Sequence, residues 1–120
     1  MYELAIKSDF ASAHFLRDYA GKCKTLHGHT WQVEVVIVSE TLDKIGMVTD
    51  FIAVKKELKH FLETIDHVNL NDLPYFKNVN PTTENLAKYI FDEFPKAYPG
   101  IKLKEVTVWE SDRASVTYRN

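Results

Sequence analysis

At 120 residues and 13.9 kDa, with 45% apolar and 27% charged residues, the chain fits a single soluble domain spanning residues 1–120. A domain this small buries only about two thirds of its unfolded surface, which excludes a large enclosed cavity within one subunit and places any roomy site in a cleft or between subunits. The net charge of -2 and the scatter of the 15 basic residues exclude the footprint of general nucleic-acid binding. The single cysteine excludes an intrachain disulfide framework. No apolar run approaches about 18 residues, and the N-terminus has no charged start followed by an apolar block, so no membrane partner is expected and the chain reads as cytoplasmic.

Tyr2, Leu4, Ile6, Phe10 and His14 share one parity, which predicts a first strand running to His14. Residues 15–26 carry charges, Gly21 and no clear period, and read as a loop. Alternation returns from His27 to Ser39, with His27, His29, Trp31, Val33, Val35 and Ile37 on one parity and Thr30, Gln32 and Glu34 on the other. His27 and His29 therefore face the same way, about 6.5 to 7 Å apart at the backbone, which is how a His-x-His on a strand chelates one ion. Asp50 reads as the N-cap of a helix through about Thr64, because Phe51, Val54, Leu58, Phe61, Leu62 and Ile65 recur at helical spacing. Residues 66–74 are rich in turn formers and read as a loop.

Pro81-Thr82-Thr83-Glu84 opens a second helix with Thr82 as its cap and Leu86, Ala87, Ile90, Phe91 and Phe94 on its buried stripe. Pro95 and Pro99-Gly100 are expected to end it. Strands at about Lys102–Glu110 and Ala114–Arg119, joined by Ser111-Asp112-Arg113, complete the order strand, strand, helix, helix, strand, strand. That order predicts an α+β fold, a four-stranded antiparallel sheet with two helices on one face. Long apolar edge strands need a partner, so the sheet is expected to join into a barrel across several subunits, with ligand clefts between them.

Two histidines on one strand face and a third, His14, on a neighbouring strand, with no Cys-x-x-Cys nearby, suit a three-nitrogen zinc site with an open fourth position. His60 lies between Lys59 and Phe61 in the first helix and reads as a surface or packing residue. Cys23 is either a small semi-buried apolar residue or, flanked by Lys22 and Lys24, a thiol of lowered pKa able to take a proton. Asp66 and His67 are either turn residues or a pair in which Asp66 orients His67 for proton exchange. Glu110, bland by itself at a strand end, has a carboxylate able to accept two hydrogen bonds from a planar N–H–N edge.

These residues fall within an ordered set: Phe10-Ala-Ser-Ala-His14, Cys23-x-x-x-His27-Gly28-His29, Met47-Val-Thr-Asp50-Phe51, Asp66-His67-x-Asn69-Leu70-Asn71, Pro81-Thr82-Thr83-Glu84-Asn85 and Glu110. In that set, which spans nearly the whole chain, it resembles the 6-pyruvoyltetrahydropterin synthase family, and most of all its bacterial carboxy-forming branch. The resemblance implies the tunnelling fold, a homo-oligomer, expected as a hexamer built as a dimer of trimers, and one Zn2+ per subunit on His14, His27 and His29. It implies Cys23 as base, His67 with Asp66 as relay, Glu110 as the carboxylate that holds a pterin, and Thr82, Thr83 and Glu84 as further pterin contacts. The implied activity is a lyase that converts 7,8-dihydroneopterin triphosphate to 6-carboxy-5,6,7,8-tetrahydropterin, acetaldehyde and triphosphate, an early step of queuosine biosynthesis.

Three residues separate Cys23 from His27, as in the carboxy-forming branch, whereas the animal pyruvoyl-forming branch resembles this motif with two more residues inserted. A branch acting on dihydroneopterin for folate synthesis has glutamate at the place of Cys23. Charge and sequence proximity make Arg17, Lys22 and Lys24 candidates for contacts to triphosphate. Two other readings stay open: a pyruvoyl or side-chain-cleaved product on the same fold, and a non-enzymatic assembly module whose zinc is closed by a fourth protein ligand.

Overall fold

The alternating segments form two long antiparallel strands, β1 (Tyr2–His14) and β2 (His27–Ser39), each 13 residues long. In the computed structural model, which describes residues 1–19, 21 and 24–120, these are followed by α1 (Phe51–Leu62), α2 (Thr83–Ala97), β3 (Leu103–Ser111) and β4 (Ala114–Arg119). The four strands make one antiparallel sheet in the order β1-β2-β3-β4. Leu4, Ile6 and Phe10 of β1, Trp31, Val33 and Val35 of β2 and Val106 and Val108 of β3 are buried on a single face. Val54, Leu58, Phe61 and Leu62 of α1 and Leu86, Ala87, Ile90 and Phe94 of α2 close that face. The expected α+β architecture, two helices on one side of the sheet, is what forms.

Both helix starts have the anticipated caps. The Asp50 side chain accepts from Ile52 N at 2.9 Å, and Thr82 Oγ1 accepts from Asn85 N at 3.1 Å, so each satisfies an amide that the first helical turn leaves without a partner. Phe51, expected on the buried stripe, is instead 56% exposed: it occupies the first position of α1, ahead of the turns that reach the sheet. Pro95 does not end α2. It lies in the last turn, and Tyr98 N closes the helix on Phe94 O at 2.9 Å. A proline there forfeits one bond close to where the ladder stops anyway, so the helix absorbs it and ends before Pro99.

The segment read as a loop from 66 to 74 contains short 3-10 turns at Leu70–Asp72 and Pro74–Phe76. It also touches the sheet. His67 N donates to Ala11 O, Ala13 N donates to Val68 O at 3.0 Å, and Ala13 pairs with Asn69 in a parallel bridge. The end of β1 is thus covered on its outer side, while among the described residues no strand pairs with that side of Tyr2–Phe10. The outer side of β4 is likewise unpaired. The extents of 53 × 24 × 22 Å and a radius of gyration of 15.2 Å, against about 14 Å for a compact domain of this length, show how far the sheet projects. Among the described residues no helix is long and apolar enough to cross a membrane.

Leu58 is fully buried beneath the sheet and Asp50 is an exposed cap. Leu58→Ala is expected to cost about 2–5 kcal/mol of unfolding free energy and Asp50→Ala only about 1 kcal/mol, measured by urea denaturation.

Candidate metal centre and active site

The pairing of β1 with β2 sets His14 opposite His27 and Ser12 opposite His29. The three imidazoles meet on the helix-facing side of the sheet, at the end where β1 finishes and β2 begins. Their ring centroids are 4.6 Å apart for His14 and His27, 5.2 Å for His14 and His29, and 4.8 Å for His27 and His29. Trp31, two residues further along the same face, is fully buried and stands edge-on to His14 at 4.9 Å and to His29 at 5.1 Å, forming an apolar floor.

Hydrogen bonds assign the free nitrogens. A carbonyl oxygen accepts and cannot donate, so His14 Nδ1 donates to Pro81 O at 2.7 Å and His27 Nδ1 donates to Thr25 O at 2.7 Å. Each ring therefore keeps the Nε2 lone pair for another partner. Among the described residues His14 Nε2 and His29 Nε2 are buried without a hydrogen-bond partner, which fits nitrogens that coordinate a metal. Glu110 completes the group: its Oε1 lies 3.1 Å from His29 Nε2, close but not aligned as a hydrogen bond, and its Oε2 accepts from Thr83 Oγ1 at 3.0 Å. One ligand atom from each of His14, His27, His29 and Glu110 falls within 4.8 Å of all the others. Nitrogen-rich donors with one carboxylate suit zinc or another transition metal rather than calcium.

The local sequence aims these groups. Strand parity does so for the histidines, and an irregularity does so at Glu110: the β3–β4 pairing runs from Trp109–Ser115 to Ser111–Ala114 and passes over Glu110. Such a break in the ladder redirects a side chain at the end of a strand. Thr82, Thr83 and Glu84, at the start of α2, line a cleft with His14, Arg17 and Glu110. Thr83 is buried and touches Glu110, whereas Glu84 is exposed.

Burial holds the pKa of both His14 and His29 below the ordinary histidine value. The neighbouring imidazoles lower both further, the Pro81 carbonyl opposes the shift at His14, and Glu110 opposes it at both. The uncharged rings that a metal requires are thus favoured before any ion arrives.

Asp66 and His67 do form a pair, but outside this group. Asp66 Oδ1 accepts from Ala11 N at 2.8 Å and Oδ2 lies 2.8 Å from His67 Nδ1. The Ala11 amide first, then His67, hold the Asp66 carboxyl below the usual carboxylate range. His67 has a left-handed backbone, φ 55°, and an 81% exposed side chain at the outer edge of β1. The expected triphosphate contact Arg17 is committed within the chain: its guanidinium donates to Phe76 O and reaches Asn80 Oδ1 at 3.5 Å. Cys23 and Lys22 lie outside the described residues, and Lys24 is exposed. Sequence reasoning named Pro81 and Asn71 within motifs without their bonds, and passed over Asn80; the three hold His14 and the segment after it. The only available signals were an asparagine before Pro81 and another after Leu70.

Fold and site together define a small α+β domain that presents three imidazoles and a carboxylate at one end of an antiparallel sheet. The chain belongs to the 6-pyruvoyl tetrahydropterin synthase family, whose model matches residues 3–120. It is 39% identical over 103 residues to human 6-pyruvoyl tetrahydrobiopterin synthase, covering 82% of this chain and 71% of that protein. It is 37% identical over 111 residues to a dihydroneopterin monophosphate aldolase of Pyrococcus furiosus, covering 92% and 90%. To the 6-carboxy-5,6,7,8-tetrahydropterin synthase of Aquifex aeolicus it is 33% identical over 123 residues, covering 82% and 76%. The structure of Caenorhabditis elegans 6-pyruvoyl tetrahydropterin synthase superposes with a TM-score of 0.89 at 30% identity, covering 99% of this chain and 95% of that one.

For the metal-free protein, the lowered histidine pKa values set a sign. Below about pH 6.5 the unfolded chain takes up protons that folded His14 and His29 resist, so stability rises with pH between the depressed folded values and about 6.5 and then levels off. Calorimetry of chelator-treated protein is expected to show a higher Tm at pH 7.5 than at pH 5.5. His14→Ala and His29→Ala should each flatten that dependence.

Proposed function

We propose that the protein is a zinc-dependent carbon-carbon lyase that converts 7,8-dihydroneopterin triphosphate and water to 6-carboxy-5,6,7,8-tetrahydropterin, acetaldehyde and triphosphate, a reaction that serves queuosine biosynthesis. The observation that carries this reading is the convergence of His14, His27 and His29 with Glu110 at one sheet end, in a chain with three residues between Cys23 and His27. Overall identity is higher to the human relative named for the pyruvoyl product than to the Aquifex relative named for the carboxy product. The spacing weighs more, because it bears on the reacting residues, whereas identity averages the whole chain.

Zinc held by three neutral imidazoles retains its full double charge and would polarise an oxygen of the substrate side chain, making the adjacent carbons more acidic. Cys23 serves as the base that removes a proton from that side chain, its thiolate favoured by Lys22 and Lys24 beside it in sequence. Glu110 fixes the ring: of about four carboxylate lone-pair sites the Thr83 bond occupies one, leaving room for the two bonds of a planar N–H edge of a pterin. Thr83 keeps that carboxylate from turning, and an error of about 1 Å in placing the reacting carbons costs about a hundredfold in rate.

His67, polarised by Asp66, exchanges the second proton. Its exposed position on the edge of β1 suits service to a site on a second copy of the chain, joined edge to edge in the proposed hexamer. Such pairing would cover the unpaired sides of β1 and β4 and bury the relay at a subunit boundary.

Incubation with 7,8-dihydroneopterin triphosphate, followed by product mass and an acetaldehyde assay, tests the reaction. One acetaldehyde per 6-carboxytetrahydropterin is expected, and a pyruvoyl product without acetaldehyde would overturn the assignment. The likeness to the Pyrococcus aldolase favours one other outcome, a pterin shortened by aldol cleavage with the triphosphate-bearing two-carbon aldehyde as the second product, and the same mass measurement separates it. Cys23→Ala is expected to retain zinc and fold while losing about 10²–10⁴ in turnover, read from zinc content and steady-state rate; unchanged turnover in zinc-loaded protein would remove Cys23 from the base role.

A further inference from the structure

Beyond His14 the chain leaves the ladder, since β2 begins at His27, directly opposite His14. Two asparagine side chains take the place of a neighbouring strand there. Asn71 Oδ1 accepts from Phe15 N at 2.9 Å while its Nδ2 donates to Phe15 O at 3.0 Å. Asn80 repeats the arrangement on Arg17, Oδ1 accepting from the amide at 3.0 Å and Nδ2 donating to the carbonyl at 2.9 Å. Each amide offers one donor and one acceptor, the set that a strand residue offers its hydrogen-bonded partner, and residues 15 and 17 present their backbone groups to the same edge.

Asn80 is itself firmly seated. Its carbonyl accepts from Thr82 N and from Asn85 Nδ2, both at 2.9 Å, and the Arg17 guanidinium that approaches its Oδ1 is tied to Phe76 O. The carbonyl of the next residue, Pro81, is the one that receives His14 Nδ1–H. The circuit closes: from His14 along the backbone to Arg17, across the amide to Asn80, one peptide on to Pro81, and back to the His14 ring. Pro81 has its φ fixed by its own ring, and the bond from Thr82 N to Asn80 O closes a tight turn across it that restrains its ψ, so the direction of its carbonyl follows from where Asn80 sits.

We propose that Asn80 is a positioning residue for the metal ligand His14: by clamping the Arg17 backbone it holds the Pro81 carbonyl on His14 Nδ1, and so selects the tautomer and tilt that aim Nε2 into the site. The proposal rests on the metal-binding reading of the three histidines. Asn71 grips the same stretch of chain without a covalent link to Pro81, which makes Asn71→Ala the natural comparison.

The test measures zinc affinity by chelator competition, the visible spectrum of cobalt-substituted protein, and the nitrogen shifts of His14 in 15N-histidine-labelled, metal-free protein. Asn80→Ala is expected to weaken zinc binding about 10–100-fold and to shift the cobalt bands, while Asn71→Ala with a similar loss of Tm stays within about threefold of the parent. Should Asn80→Ala not fold, Asn80→Asp, which keeps the acceptor for Arg17 N but loses the donor to Arg17 O, takes its place. In it the metal-free His14 should populate both tautomers where the parent holds Nδ1–H alone. Parent-like zinc affinity and cobalt spectrum in Asn80→Ala, or a parent-like His14 tautomer in Asn80→Asp, would overturn the proposal. Failure of the parent itself to bind zinc would count against the metal reading instead, and the tautomer measurement on metal-free protein would still decide the role of Asn80.

Discussion

The pairing of β1 with β2 runs unbroken through 13 residue pairs, from Tyr2 opposite Ser39 to His14 opposite His27. Because side chains alternate across a sheet, a slip of one residue would turn His27, His29 and Trp31 to the polar face and carry Val33 and Val35 out of the core with them. The register is therefore secured by burial far from the site. Phe10 opposite Trp31, Ile6 opposite Val35 and Leu4 opposite Ile37 form a row of apolar pairs that any slip would expose. The ligands stand at the end of that row, next to Trp31 and beside the start of α2.

What the sheet cannot supply is the orientation of each ring about its own axis. That comes from backbone carbonyls outside the sheet, Pro81 for His14 and Thr25 for His27, and from the carboxylate delivered by the irregular end of β3. The start of α2 therefore contributes twice to one cleft. Pro81 orients a ligand from just before the helix, and Thr83 steadies Glu110 from its first turn. Burial over Trp31 adds the electrostatic part, favouring the uncharged forms of His14 and His29.

Period-two alternation was enough to read β1, β2 and the shared face of His27 and His29, because no bulge interrupts the pattern; the register that sets His14 opposite His27 emerges only from the folded sheet. Capping side chains and apolar spacing were enough to read where both helices begin. Phe51 and Pro95 were misread for opposite reasons: spacing alone does not say that the first residue of α1 lies beyond the sheet, and a proline rule for helix interiors overstates the cost in a final turn. Asp66 and His67 were legible as neighbours, but their station on the edge of β1 depends on bonds from Ala11 and Ala13 that span more than fifty residues of sequence. The amide clamps of Asn71 and Asn80 were invisible for the same reason. A side chain bonding to backbone leaves no periodicity, and its partner there has no sequence identity to match.

The stretch joining Arg17 to His27 is fastened at both ends, by Asn80 on one side and by the first residue of β2 on the other. Its length is consequently an independent variable. Adding two residues to such a connection costs only about 0.2 kcal/mol in closure entropy, far less than any change within the sheet. A lineage can thus lengthen or shorten the span that carries the thiol while the strands, the three imidazoles and the carboxylate stay where they are. The architecture thus separates the length of one connection from the parts on which folding depends, so that variation there leaves the stability of the scaffold almost untouched.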